Sequence, residues 1–486
     1  MILVRRIVST LLILSALGVV IAVDRYKSDT PIGASSALVN FAGFPQVPEG
    51  TRISTSWFCP GIAAGDGITS GSVVIVNPGD TEVTASISYL SDTPAETQNV
   101  VVAARSRQVV DLLRGRTVGV VVPVVEIIGS VGTVEQELEY AAGDVTSQCV
   151  SQTSASWFFA DGFTAEGSSH RLVLTNPFPE SAVVNVAFTT AAGRRTPAAL
   201  QGIILAPRSA RSVSLADAGA QNESRIAVEA TATTGQIIAS RIQHYLGQGR
   251  LGYSTTVGTP STLNEWWFTS GRTGAQASEQ LIVFNPSTSA SQVNVSFFGD
   301  KITTGVEEGQ SNAAAPSSVV DIPAGGIVSI NTDTIADLPK GDHAMVISAV
   351  NNVPVVVEHV LSQTVNSGSF TAITNGIPAG LLSQVWRIPS GLANGALNAL
   401  SILNTTASDG TFTVSALGPG GQVPLPELVD VPLTAAALVS LNVPAGVNDG
   451  EIVITATVPI AVQRRTARGH GLAGFGIVGA LPVRSR

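Results

Sequence analysis

The sequence has 486 residues and a formal net charge of −9, with 44% hydrophobic and only 13% charged side chains; this composition suits a chain that packs cores and excludes a disordered one. Its only lysines are Lys27, Lys301 and Lys340, and no segment gathers arginines into a basic field. A nucleic-acid or polyphosphate partner is excluded, because affinity for a phosphate backbone comes mainly from clustered cations that release counterions.

The chain opens with Arg5 and Arg6 before a charge-free, mainly apolar run from Ile7 to Val23. Seventeen residues reach the lower limit for crossing a hydrocarbon core and exceed the usual apolar region of a cleavable leader. Residues 1–23 are therefore read as a transmembrane anchor. The alternative is a signal segment cut near the weak Val20/Ala22 pair, which leaves a secreted product. Residues 24–50, with "SDTPIGASS" and "GFPQVPEG", read as a polar tether bearing Pro and Gly. The region beyond is expected to be extracytoplasmic. Cys59 and Cys149, an even pair in a chain read as exported, predict a disulfide, the other reading being two free buried thiols. Closing that loop contributes about 4 to 5 kcal/mol in the chain-entropy model.

From residue 51 onward the chain repeats itself. Four openings, "SWFCPG", "SWFFADG", "WWFTSG" and "VWRIPSG", hold all five tryptophans: Trp57, Trp157, Trp266 with Trp267, and Trp386. A glycine follows each (Gly61, Gly162, Gly271, Gly391), and 18 to 20 residues past the aligned tryptophan stands an asparagine: Asn77, Asn176, Asn285 and Asn404. After it, "EVTASISYL", "AVVNVAFTT", "QVNVSFFGD" and "TFTVSALGP" alternate apolar with small polar residues, the pattern of a half-buried strand. Late in each unit two β-rich runs meet at a tight junction, as in "IAVEATATTGQIIASRI", and read as hairpins. The copies span 51–151, 152–260, 261–378 and 379–486, with seven or eight short strands apiece and hardly any helical periodicity. The expected fold is all-β, a tandem array of four immunoglobulin/fibronectin-like antiparallel β-sandwich repeats after one N-terminal transmembrane helix. The alternative is a β-propeller in which each unit hides two blades.

A tryptophan near the first strand of a sandwich fills the space between sheets. Trp57, Trp157, Trp267 and Trp386 are read as such core markers. Neighbours on a strand point to opposite faces, so Trp266 and Trp267 cannot share one core, and this pair is the candidate platform for stacking a sugar ring. The four asparagines are read as turn markers that bond their own backbone. Fourfold recurrence favours packing, since a binding site need exist only once.

Catalytic signatures are absent: there is no HExxH, GxSxG, Walker loop, EF-hand or CxxC pair. His170, His244, His343, His359 and His470 are scattered singly, and His244 and His359 read as ordinary strand residues. Glu135 with Glu137, and Glu307 with Glu308, read as solvated charge that discourages strand addition. No catalytic, metal or cofactor site is assigned, and the chain is read as not an enzyme.

The anchor followed by "WFCPG", "VVIVNPG" and further "WF" and "NP" copies, with a second cysteine at 149, resembles an actinobacterial family of secreted or membrane-anchored envelope proteins classified as a domain of unknown function. The resemblance covers most of the chain from about residue 50 and implies an envelope location with no established activity. The fourth copy departs from the pattern with "VWRIP" and "LNTT", as expected of a divergent terminal cap. Together these features predict a membrane-held spacer or interaction scaffold with envelope proteins or glycans as partners. The runner-up is a glycan-binding module, and an enzyme acting on envelope polymers ranks third.

Overall fold

The computed structural model describes residues 41–484 apart from 49–53, 66, 130, 141–142, 248, 300–301, 303–315, 366–367, 390–396, 444–449 and 469–472. The predicted anchor, the tether up to residue 40, Gly391, His470 and the Glu307/Glu308 pair lie outside the described residues. Among the described residues the structure is all-β, and no helix is long and apolar enough to cross a membrane.

Two kinds of antiparallel sheet recur along the chain. In the first copy the tryptophan strand Ser54–Phe58 starts one sheet, followed across it by Gly119–Ile128, Val83–Leu90 and Glu96–Val102. The strand that ends in Asn77, Ile68–Asn77, lies in the other, between Ser106–Asp111 and Thr133–Tyr140, with Gly143–Gln148 on the far edge. The second copy repeats the order: Ser156–Phe159, Ala227–Thr234 and Ala182–Thr190 in a tryptophan sheet, and Ser209–Ser214, Ser169–Asn176, Ile238–Tyr245 and Gly252–Val257 in an asparagine sheet. The third and fourth copies follow it too. Alternation explains the layering. Ser291–Phe298 buries every second side chain without interruption, so one face of the strand must meet a second layer.

The paired β-rich runs depart from the hairpin prediction. Ala227–Thr234 belongs to the tryptophan sheet and Ile238–Tyr245 to the asparagine sheet, and Gly119–Ile128 and Thr133–Tyr140 divide in the same way. Both runs carry apolar faces that have to meet across a core, so the chain crosses from one layer to the other at the junction instead of folding back beside itself. In the fourth copy the crossing is one continuous strand, Ile452–Arg468. It pairs with Leu397–Asn404 from Ile460 onward and with Gly410–Gly418 before Thr457. Pro459, which has no amide to donate, sits where the strand leaves one sheet for the other.

The four copies close into a ring. The last strand of each asparagine sheet lies at a common hub: Gly143–Gln148 packs beside Gly252–Val257, that beside Gly368–Asn375, that beside Ala473–Gly479, and the last beside Gly143–Gln148 again. Side chains bond across the hub. Ser147 Oγ donates to the Thr255 carbonyl (2.6 Å), Asn375 Nδ2 to the Val257 carbonyl (2.8 Å) and Gln148 Nε2 to the Ala480 carbonyl (3.0 Å). Ala42–Arg486 is consequently one compact unit. Strands around an axis are a propeller-like trait, but the first and second copies each bring a pair of layers with a shared core and not two separate blades.

Candidate functional site

The tryptophans come first, because their loops build everything else. Trp57, Trp157, Trp266 and Trp386 are fully buried. The indole N–H of Trp157 donates to the Ile237 carbonyl and that of Trp266 to the Val355 carbonyl, both at 2.9 Å and both at the crossing between sheets. Trp266, not Trp267, is thus the core marker of the third copy. Nor does either indole offer a sugar-stacking platform. Trp267 is only 9% exposed, packs with the fourth copy's core at 5.8 Å from Phe298, and donates to Glu265 Oε1 at 2.7 Å. Alternation does send the two rings to opposite faces, but a neighbouring copy covers the second face.

Two positions past each tryptophan lies a staple. Cys59 and Cys149 are bonded, with Cα atoms 4.2 Å apart. The matching pairs across the same two strands are Phe159 with Gly258, Phe268 with Gly376, and Ile388 with Ala480. A Cβ at Gly258 would lie 2.8 Å from the Phe159 ring, and one at Gly376 2.8 Å from the Phe268 ring. Each copy therefore fills one volume by a bridge, by a phenyl ring over glycine, or by isoleucine over alanine.

The asparagines make one bond set four times. Nδ2 of Asn77, Asn176, Asn285 and Asn404 donates to the carbonyl four residues on (Thr81, Glu180, Ser289, Ser408) at 2.7 to 2.8 Å. It also reaches two consecutive carbonyls of the strand beyond: Val102 and Ala103, Leu205 and Ala206, Ile322 and Pro323, or Leu433 and Thr434. Oδ1 accepts the amide two residues on, from Gly79, Phe178, Ser287 or Thr406. All four are buried, and each ties a turn to the return of the chain.

Between copies runs a polar seam that sequence reading missed. Ser240, Glu358 and Gln463 hold one place, opposite Val173, Ile282 and Ser401, three residues before their asparagines. Each reaches into the tryptophan loop of the preceding copy. Ser240 Oγ donates to the Pro60 carbonyl (2.6 Å); Glu358 Oε2 accepts the amides of Ala160 (3.1 Å) and Asp161 (2.6 Å); Gln463 Oε1 accepts those of Thr269 (2.8 Å) and Ser270 (3.1 Å). The next residue along decides the charge of the seam. Arg241 bonds both oxygens of Glu358 at 2.9 and 3.2 Å, and Arg464 bonds both oxygens of Glu135 at 2.9 and 3.0 Å, which joins the fourth copy to the first. The other two seams have Gln136 and His359 at the arginine's place. Glu135, which the sequence places in water at a strand edge, is 2% exposed, because the face it shares with Glu137 meets another copy. A pattern of interior charges at one strand position is the signal that betrays such a seam.

Electrostatics differ from copy to copy. Burial alone would lower Arg241, but Glu358 outweighs it and holds the guanidinium above its ordinary value. His170 is driven well below the usual imidazole value by burial and by the Arg241 charge, so it is neutral. In the third copy Glu279 stands between two histidines: His343 Nε2 lies 2.8 Å from Oε2, and His359 Nε2 bonds Oε1 at 2.7 Å. Burial opposes its ionisation, yet the imidazoles hold it well below the carboxylate range. Burial likewise would lower His343, and Glu279 raises it above its ordinary value. His359 is thus no ordinary strand residue. Oε1 also accepts the Arg272 amide at 3.0 Å, so the cluster supports the tryptophan loop from beneath. Among the described residues no group of three or more His, Cys, Asp or Glu is placed to hold a metal ion.

At the hub the four edge strands and Pro45 line a partly open cavity of about 40 Å³, walled by uncharged groups such as Ser147, Thr255, Thr374 and Asn375. The molecule is of the class of all-β proteins whose polar groups work inside, at joints between like units. The chain belongs to the family of unknown function DUF5719, whose model matches residues 128–251 and 247–482. No curated protein matches it. Among solved structures it is similar to a crystal structure titled Thermotoga maritima 1070, at 14% identity over 24% of this chain and 96% of that one, with a TM-score of 0.20. It is also similar to red sea bream transglutaminase, at 11% identity over 46% of this chain and 32% of that one, with a TM-score of 0.10. Scores this low bear on neither fold nor function.

Proposed function

We propose that this protein is a non-enzymatic, membrane-anchored extracytoplasmic scaffold of the cell envelope, built from four immunoglobulin/fibronectin-like two-layer modules closed into a ring. The observation that carries the reading is the recurrent seam: one strand position in successive copies grips the tryptophan loop of the copy before it. Such joints hold modules rigidly and leave their outer faces free for partners. The ring favours a compact platform over an extended spacer. Export is supported by the Cys59–Cys149 bridge, which persists in oxidising compartments, and by the charge-free run at Ile7–Val23. The glycan-binding alternative lost its motivating pair when both indoles proved buried.

The test uses intact cells that express the full chain with a C-terminal tag. A protease added outside is expected to remove the tag, and cross-linking at the surface is expected to capture envelope proteins. A tag digested only after the cells are lysed rejects the orientation and the scaffold role together.

A further inference from the structure

The segment just before the first copy behaves unlike a tether. Phe44, Gln46 and Val47 are buried and Pro45 is half-buried, although they form no regular strand. They touch several copies in succession. At Gly43 the backbone passes so close to the end of the second copy that a Cβ would lie 3.0 Å from Pro260. The Phe44 ring, 1% exposed, meets the indole of Trp266 in the third copy, with centroids 6.0 Å apart and planes at 60°. Pro45 forms part of the hub cavity wall. The Val47 amide donates to the Pro482 carbonyl at 3.0 Å, and Val47 pairs in parallel with Val483, at the edge of the fourth copy's tryptophan sheet. Its side chain joins the first copy's core beside Trp57 and Leu481.

An aromatic anchor in a pocket, a proline over a cavity and one strand-like pairing at a sheet edge are the marks of a peptide held by a receptor. We propose that the hub face is a peptide-binding site for a Phe-Pro-x-Val segment, occupied in cis by Phe44–Val47. The segment is a strap that fastens the chain's N-terminal side across the ring seam. Bridging the fourth copy to the first and third, it adds closure that the covalent chain does not provide, since no peptide bond joins the end of copy four to the start of copy one.

The test places a specific protease site within residues 49–53 of the full chain and cuts it in detergent, leaving the N-terminal fragment attached to the ring only by its contacts. The wild-type fragment is expected to co-purify with the ring and to be displaced by a synthetic peptide AGFPQVP, but not by AGAPQVP. Phe44→Ala is expected to speed dissociation on the order of a hundredfold. Val47→Pro, which removes the amide donated to Pro482 and leaves the Trp266 pocket intact, is expected to speed it on the order of tenfold. Near-ultraviolet circular dichroism checks that the ring of each variant is folded; should Phe44→Ala disturb it, Val47→Pro and peptide displacement decide. Immediate release of the wild-type fragment overturns the proposal, as does retention that neither variant changes.

Discussion

At the scale of single residues, the fold is held by polar side chains that most proteins keep at the surface. Each buried asparagine shares its two N–H groups among three carbonyls and accepts one amide, so replacing it leaves those backbone groups without a partner and out of reach of water. Asn285→Ala is expected to cost about 3 kcal/mol, read as a lowered midpoint in chemical denaturation. The turn role was legible because Asn before Pro recurs at three of the four positions. The reach to a second strand was not, since those carbonyls lie 25 to 38 residues away. The Glu279 cluster makes a prediction about pH. His343 is held above its ordinary value of 6.5, so its contribution is complete below that pH and fades as pH rises through the raised value. Thermal melts of wild type and His343→Gln should differ most near about pH 5 and converge in alkaline buffer. A gap that widens with pH would contradict the assignment. Asp342 and Arg272 neighbour this site, and Arg465 bonds Asp342 at 2.9 and 3.2 Å, so all three belong in any titration of it.

Among the elements, the pairing of the tryptophan strand with the strand that closes each copy is the most informative. One position is filled by Cys with Cys, by Phe with Gly twice, and by Ile with Ala, which conserves volume by different chemistry. Gly258→Ala drives a methyl into the Phe159 ring and is expected to lose about 1 to 3 kcal/mol. Replacing both Cys59 and Cys149 by serine is expected to cost about 2 to 5 kcal/mol, seen as a lower melting temperature that reductant no longer changes. The sequence shows a glycine in "VGTP" and in "NGIP" without a local cause. Their reason, a phenyl ring directly above, needed the register between strands. The same is true of the late β-rich runs. Their composition marks strands but does not say whether two neighbours share a sheet or face each other across a core.

For the whole molecule, the seams decide whether four modules make a string or a body. Two of them contain a buried arginine bonded to both oxygens of a glutamate from the next copy. Removing one partner strands a charge in the interior. Arg464→Met is expected to cost about 3 to 5 kcal/mol, while adding Glu135→Leu to it recovers most of the loss, because a matched apolar pair carries no desolvation penalty. The double-mutant cycle is read from denaturation midpoints. Strict additivity would mean that the two residues do not share a seam.

The sequence by itself determined the all-β class, the recurrent unit, the paired cysteines and the turn role of the asparagines. Those features depend on local periodicity and on residue types that act on their own backbone or recur at a fixed interval. Only the tertiary structure decided which tryptophan of the doublet fills the third core, that Glu135 is interior, and that the copies meet around a hub. The physical reason is distance along the chain: Glu135 and Arg464 are 329 residues apart, and nothing local in either segment distinguishes a carboxylate facing water from one facing a guanidinium.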